Sequence, residues 1–273
     1  MKRYRWIDFG CAIALGIGGC HSTVKPPSPS PQPSKIEAKL ALDNLSFEQV
    51  DKQGKPWWKV RAERGVYAPD RKVAKVTNLS GDLYQDGQII LHVTAKTGEV
   101  EQAGEKVILR GDVVTQETRN RLVIIGQEVT WQPKSDLLTI RDRVQANHPK
   151  FQANANEGKY LSRKQQMDLA GKITAFSKDP RLAMQTEHLT WLVKTQKVSG
   201  DRPVQVQRYQ AGQVTAQVTA NSFDSALDRK IINLQGNVQL NAVKPLIQVN
   251  GESFNWNFDR DLVTADRPLT IFH

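Results

Sequence analysis

The residues of this chain that could carry chemistry are few and scattered. Three Gly-Asp steps recur, at Gly81-Asp82, Gly111-Asp112 and Gly200-Asp201, and the histidines are His21, His92, His148, His188 and His273. Carboxylates and imidazoles together suggest acid–base work or a metal. The histidines, however, have neither ligand spacing nor a partner cysteine, so no metal is expected. An aspartate after a strand glycine fits turn and bend chemistry, and His92 and His188 fall among polar surface positions. No G-x-x-x-x-G-K-[ST] or G-x-S-x-G stretch occurs, which leaves no phosphate cradle and no nucleophile elbow. Trp57, Trp58, Trp131, Trp191 and Trp256 could stack on sugars, but at strand positions they read as core. The chain is expected not to be an enzyme and to need no cofactor.

What does recur is apolar. Seven segments align on a small residue at Ala62, Ala95, Gly126, Ala155, Thr186, Ala220 and Gly251, with spacings of 33, 31, 29, 31, 34 and 31. A period near 30 marks a repeat architecture. Four residues before the anchor stand Trp58, Leu91, Leu122, Phe151, Leu182, Ala216 and Ile247. Two before it stand Val60, Val93, Ile124, Ala153, Met184, Val218 and Val249. Every position in both columns is apolar, while the columns between are mostly polar, as at Gln152 and Gln217. Period-two alternation means strands with one buried and one wet face. Each unit continues through a polar turn into a second strand built around a glycine: Gly81, Gly111, Gly171, Gly200 and Gly236, with Arg141 and Ala265 aligned there in the other two units. The predicted fold is all-β, an elongated antiparallel two-sheet stack. Its hairpins, too small to stand alone, cover one another's apolar faces. The two columns then wall one continuous lane.

The composition narrows the partners. Lys and Arg total 38 against 28 for Asp and Glu, a formal charge of +10 over 273 residues. That favours anionic partners, but the cations are spread rather than clustered, and no nucleic-acid partner is expected. At the N-terminus Lys2, Arg3 and Arg5 precede the apolar run CAIALGIGG and then Cys20. Nine residues cannot cross a bilayer that needs about 20 in a helix, so residues 1–19 read as a signal peptide. Ile17-Gly18-Gly19-Cys20 resembles the bacterial lipobox, which makes Cys20 the expected lipidation site. Residues 20–35, with five prolines, form a semi-rigid spacer of about 3.1 Å per residue. The repeats occupy 36–273, either as one block or as 36–145 and 146–273, where NHPK interrupts the pattern.

The repeats, above all residues 47–87 and 91–114, resemble the OstA-like lipopolysaccharide-transport family. The opening Asp51, Gly54, Trp58, Val60, Ala62 is most similar to its LptC members, while the extra units are LptA-like. The resemblance covers about residues 40–272. It implies a periplasmic β-jellyroll open at both ends, with lipid acyl chains in a groove lined by Trp58, Val60, Leu91, Val93, Leu122, Ile124, Phe151, Leu182, Met184, Val218, Ile247 and Val249. It also implies the partners: lipopolysaccharide, an inner-membrane lipopolysaccharide-export ABC transporter that supplies the energy, and an LptA-like or LptD-like jellyroll joined by edge-strand pairing. The tip DRPLTIFH suits such an edge and equally suits pairing within the chain. The anchor is expected in the inner membrane. LptC-like proteins usually carry a transmembrane helix where this chain has a lipobox. The alternative is a structural or carbohydrate-binding envelope lipoprotein with a filled interior, since alternation is the same for a core and a groove.

Overall fold

The computed structural model describes residues 40–101, 104–243, 246–265 and 270–272. The signal stretch, Cys20 and the proline-rich spacer lie outside the described residues, as does part of DRPLTIFH. The alternating segments form strands β1 (Ala41–Val50), β2 (Pro56–Tyr67), β3 (Val73–Gln85), β4 (Gln88–Glu101), β5 (Lys106–Glu117) and β6 (Val123–Gln132). After a 3-10 turn at Pro133–Ser135 come β7 (Leu137–Asn147), β8 (Phe151–Leu161), β9 (Gln166–Lys178) and β10 (Arg181–Leu192). The chain continues with β11 (Lys197–Gly200), β12 (Val204–Gln210), β13 (Gln213–Ala220), β14 (Ser222–Ala226), β15 (Ile231–Val243), β16 (Leu246–Asn257), β17 (Leu262–Ala265) and β18 (Thr270–Phe272).

From β1 to β10 each strand pairs antiparallel with the next. Tight turns make this possible. Asp86-Gly87 and Ala211-Gly212 each put two consecutive residues at positive φ, the geometry whose twist matches a two-residue hairpin. NHPK is also a tight turn, without positive φ, closed by hydrogen bonds between His148 and Phe151, and β7 and β8 pair from Leu137↔Leu161 to Asn147↔Gln152. Beyond β10 a rung is shared by two short strands. β11 and β12 both pair with β10, β13 and β14 with β15, and β17 and β18 with β16.

Most long strands are interrupted near the middle. The β5–β6 ladder runs from Val107 to Arg110, skips Gly111 and Asp112, and resumes at Val113. Both skipped residues are left-handed, with φ of 76° and 49°. Asp142-Arg143, Gly171-Lys172 and Gly236-Asn237 repeat this pair in β7, β9 and β15. The glycine alignment therefore needs correction at three units, one of them Gly200, which is not left-handed and stays in the β11 ladder opposite Phe223. In β7 the bend starts at Asp142, not Arg141, and in β3 Asn78, at φ 48°, takes it rather than Gly81. Asn and Asp reach this conformation through local side-chain hydrogen bonds, so the bend does not demand glycine. Gly81 sits instead in unbroken ladder opposite Val60 and Val93.

The bends form a spine that folds the ladder into two facing arms. The first arm holds segments such as 56–62, 79–85, 88–94, 113–117, 123–126 and 151–154. The second holds 97–101, 106–110, 128–132, 157–161 and 188–192. Their apolar faces meet. Phe151 of the first arm touches Trp191 of the second edge to face, with centroids 5.0 Å apart. Gly81 of the first lies under Trp131 of the second, where an added Cβ would stand 2.5 Å from the indole Cζ3. The fold is an all-β, elongated antiparallel β-jellyroll. It is open at both ends, since among the described residues β1 pairs only with β2, and β17 and β18 only with β16.

Candidate lipid-binding lane

The first arm carries the two apolar columns on its inner face. Trp58, Val60, Leu91, Val93, Leu122, Ile124, Phe151, Met184 and Val218 are buried, and Leu182, Ile247 and Val249 are half-buried. They belong to β2, β4, β6 (with Leu122 immediately before it), β8, β10, β13 and β16, every second rung up to β10. Rungs between them contribute Leu83, Val113, Ala146 and Ala175 to the same wall. The opposite wall comes from the second halves of the units, with Leu109, Trp131, Leu138, Tyr160, Leu169, Trp191, Leu234 and Trp256 all buried. The large residues five positions past each anchor thus build the far wall.

Along its middle the lane is filled by these side chains. Val60, Leu91, Leu122, Trp131 and Leu138 are all 0 % exposed. A cleft of about 640 Å³ lies elsewhere, at the spine, lined by polar residues including Lys172, Gln185, Thr219 and Asn237. At the C-terminal end the lane residues Ala242, Ile247 and Val249 are only half-buried, while Val243 and Leu246, on the alternate outward face, are exposed.

Polar groups inside the lane are few. Thr115 Oγ1, Trp131 Nε1 and Trp191 Nε1 are buried without a hydrogen-bond partner. Such groups lower stability unless something else satisfies them. Burial, followed by the nearby Glu117 charge, pushes the Tyr160 hydroxyl well above the usual phenol range, so it stays a neutral donor. Trp58 is satisfied, donating from Nε1 to Gln49 Oε1 at 3.1 Å.

Whereas His148, on the β7–β8 turn, packs edge to face on Trp191 with centroids 5.6 Å apart, the Gly-Asp positions, His92 and His188 lie on the outer faces. Asp82 is buried there between His92 Nδ1 at 2.6 Å and Arg61 Nη1 at 3.1 Å, so it ties three neighbouring strands together rather than forming a bend. Asp112 is part of a bend and pairs with Lys96. His188 Nδ1 lies 2.6 Å from Asp201, and that hydrogen bond holds the Asp201 carboxyl below the usual carboxylate range. Among the described residues no group of three or more His, Cys, Asp or Glu could hold a metal ion, and no helix is long and apolar enough to cross a membrane. Of the tip, Thr270–Phe272 (β18) pairs within the chain, with Gln248–Asn250 of β16.

The chain was compared with known proteins on this basis. No curated protein sequence matches it. Among solved structures it is similar to the crystal structure of LptH from Pseudomonas aeruginosa, the LptA homologous periplasmic component of the conserved lipopolysaccharide transport device. That likeness has 10% identity and a TM-score of 0.29, covering 56% of this chain and 95% of that one. The family model described as "Lipopolysaccharide-assembly, LptC-related" matches residues 11–152 and again 124–241. Two overlapping matches fit a chain with more rungs than one family unit. Together they span most of the sequence, and the chain belongs to the LptC-related lipopolysaccharide-assembly family.

Proposed function

We propose that this protein is a periplasmic, lipid-anchored bridge component of lipopolysaccharide export. Its two arms hold acyl chains between their apolar faces and pass them from an inner-membrane ATP-driven extractor toward the outer membrane. The observation that carries this reading is the continuous, largely apolar interior from β2 to β16, whose burial falls off at Ala242, Ile247 and Val249. An acyl chain with about ten buried methylenes gains roughly 8 kcal/mol on leaving water. A greasy lane with a polar exterior removes that barrier. The unpartnered Thr115 hydroxyl and the Trp131 and Trp191 N–H groups would donate to ester, amide or hydroxyl oxygens near the head of such chains. The free edges of β1 and of β17–β18 suit strand addition by jellyroll partners. Lipidation at Cys20 would supply the anchor.

A photoreactive side chain at Ile124 or Met184 should capture lipopolysaccharide in cells, whereas one at the outward Gln152 should not. Capture at Gln152 alone would refute the lane. The filled middle of the interior favours a second reading, a structural envelope lipoprotein, which predicts capture at none of the three positions.

A further inference from the structure

Because the long strands themselves run through the spine from one arm to the other, the arms can part only along the opposite rim, where the hairpin turns of the two arms face each other. Side chains bridge that rim at regular intervals. Arg163, on a second-arm turn, donates to Tyr84 O of the first arm at 3.5 Å and lies 5.9 Å over the Trp57 ring. Arg119, on a first-arm turn, is held by the fully buried Glu117 carboxylate and donates to Ser162 O across the rim. Beside it, Asn120 Nδ2 donates to Gln165 Oε1 at 3.1 Å. One hairpin further on, Lys150 Nζ donates to Gln196 Oε1 at 3.0 Å. Next, Lys230 Nζ reaches across to Asp179 at 2.9 Å, and Arg208 pairs with Asp261.

We propose that this row of bridges is a clasp along a sideways way into the lane. It parts to admit the acyl chains of an anionic amphiphile while the headgroup stays outside on the released cations. The inference rests on the lipid-lane reading and adds the route and the headgroup chemistry. Three observations carry it. The interior beneath is side-chain filled, so tails can be seated only if the arms separate. The bridges are side-chain contacts, and Lys150–Gln196, Lys230–Asp179 and Arg208–Asp261 lie at the surface, of the kind that exchanges readily with water or a competing ion. Every bridge except Asn120–Gln165 is made by Arg or Lys, and the partners of Arg119 across the rim and of Lys150 are uncharged. Opening those two exposes the Lys150 ammonium with no carboxylate across the rim to reclaim it, and turns to solvent the donors of Arg119 that Glu117, on its own side, does not use. Phosphate-bearing headgroups match that arrangement, with Arg suited to bidentate contact.

The test staples the rim. In a full-length chain with Cys11 and Cys20 replaced by Ser, K150C and Q196C are joined by a short bis-maleimide, and a diazirine methionine analogue replaces Met184. N120C/Q165C serves as a second staple site, and each unstapled variant serves as the folding control. Purified lipopolysaccharide is the probe. The clasp predicts capture in unstapled protein and its fall to the level of the outward Gln152 position once either site is stapled. Equal capture with and without both staples would overturn the clasp and leave the lane, with tails arriving through the open ends. No capture in either form would overturn the lane and the clasp with it. A second expectation is that R119Q/K150Q weakens capture of phosphorylated but not of dephosphorylated lipopolysaccharide; an equal effect on both would overturn the headgroup assignment.

Discussion

If the arms truly face one another, Gly81 and Trp131 should be energetically coupled although no backbone hydrogen bond joins their strands. Trp131 is 0 % exposed. Removing such a ring costs about 3–5 kcal/mol, and the unpaired Nε1 places Trp131→Ala toward the lower end, because an unsatisfied buried N–H leaves with it. Gly81→Ala introduces a Cβ 2.5 Å from the indole Cζ3. The overpacking should cost about 1–3 kcal/mol, since the obstacle is a rigid ring wedged between sheets. In the double variant the new methyl group points into space the indole has vacated, so the overpacking disappears. The two changes should then cost less together than the sum of the singles, by at least about 1 kcal/mol. Urea unfolding followed by far-ultraviolet circular dichroism measures this, as midpoint shifts at constant slope. Additivity within about 0.5 kcal/mol would mean that the residues do not meet, and the facing of the arms would be wrong.

Three further expectations concern the bends, the rim and the end. Gly111→Ala forces a β-carbon into a left-handed bend and should lower stability by about 1–2 kcal/mol, whereas Asp142→Gly at the equivalent place should be neutral or stabilising in the same unfolding assay. Burial, then the charges of Lys150 and Arg121, lowers the pKa of His148 from its ordinary 6.5. The unfolded chain therefore binds a proton near pH 6.5 that the folded chain accepts only at lower pH. This contribution is fully present above pH 6.5 and is lost as pH falls through the folded value; His148→Gln should flatten that part of the stability–pH curve, and an unchanged curve would count against it. Leu246→Glu with Val243→Glu, at positions 79% and 55% exposed, should shift stability by no more than about 0.5 kcal/mol. The same pair should weaken association with an LptA-like jellyroll by roughly tenfold or more, measured by co-sedimentation, if this end meets the partner.

The parts of this architecture written in local periodicity were legible in the sequence. Alternation at Trp58, Val60, Leu91 and Val93 identifies strands and their buried face, because a pleat turns every second side chain the same way. The Trp131, Trp191 and Trp256 column was correctly read as packing. The bends were partly hidden, since Asn78 and Asp142 adopt a glycine-like backbone without being glycine. Gly81, which looked like a bend, is small for the sake of a ring fifty residues away. The rim bridges left no local mark at all. Arg119 and Ser162, or Lys150 and Gln196, come together only because successive hairpins stack, and their types are those of any polar turn. Alternation was also silent on whether the interior is open or occupied, because both demand the same apolar columns.

The sequential pairing of the strands has a consequence for length. Each rung bonds only to the rungs on either side, and neighbouring strands lie about 4.8 Å apart. A unit of some 30 residues supplies two rungs and so extends the stack by about 10 Å, whatever the other units contain. Whole hairpins can be gained or lost between existing ones while the cross-section stays the same. Reach is then counted out in units along the gene, and the protein acts as a ruler whose graduations are its hairpins.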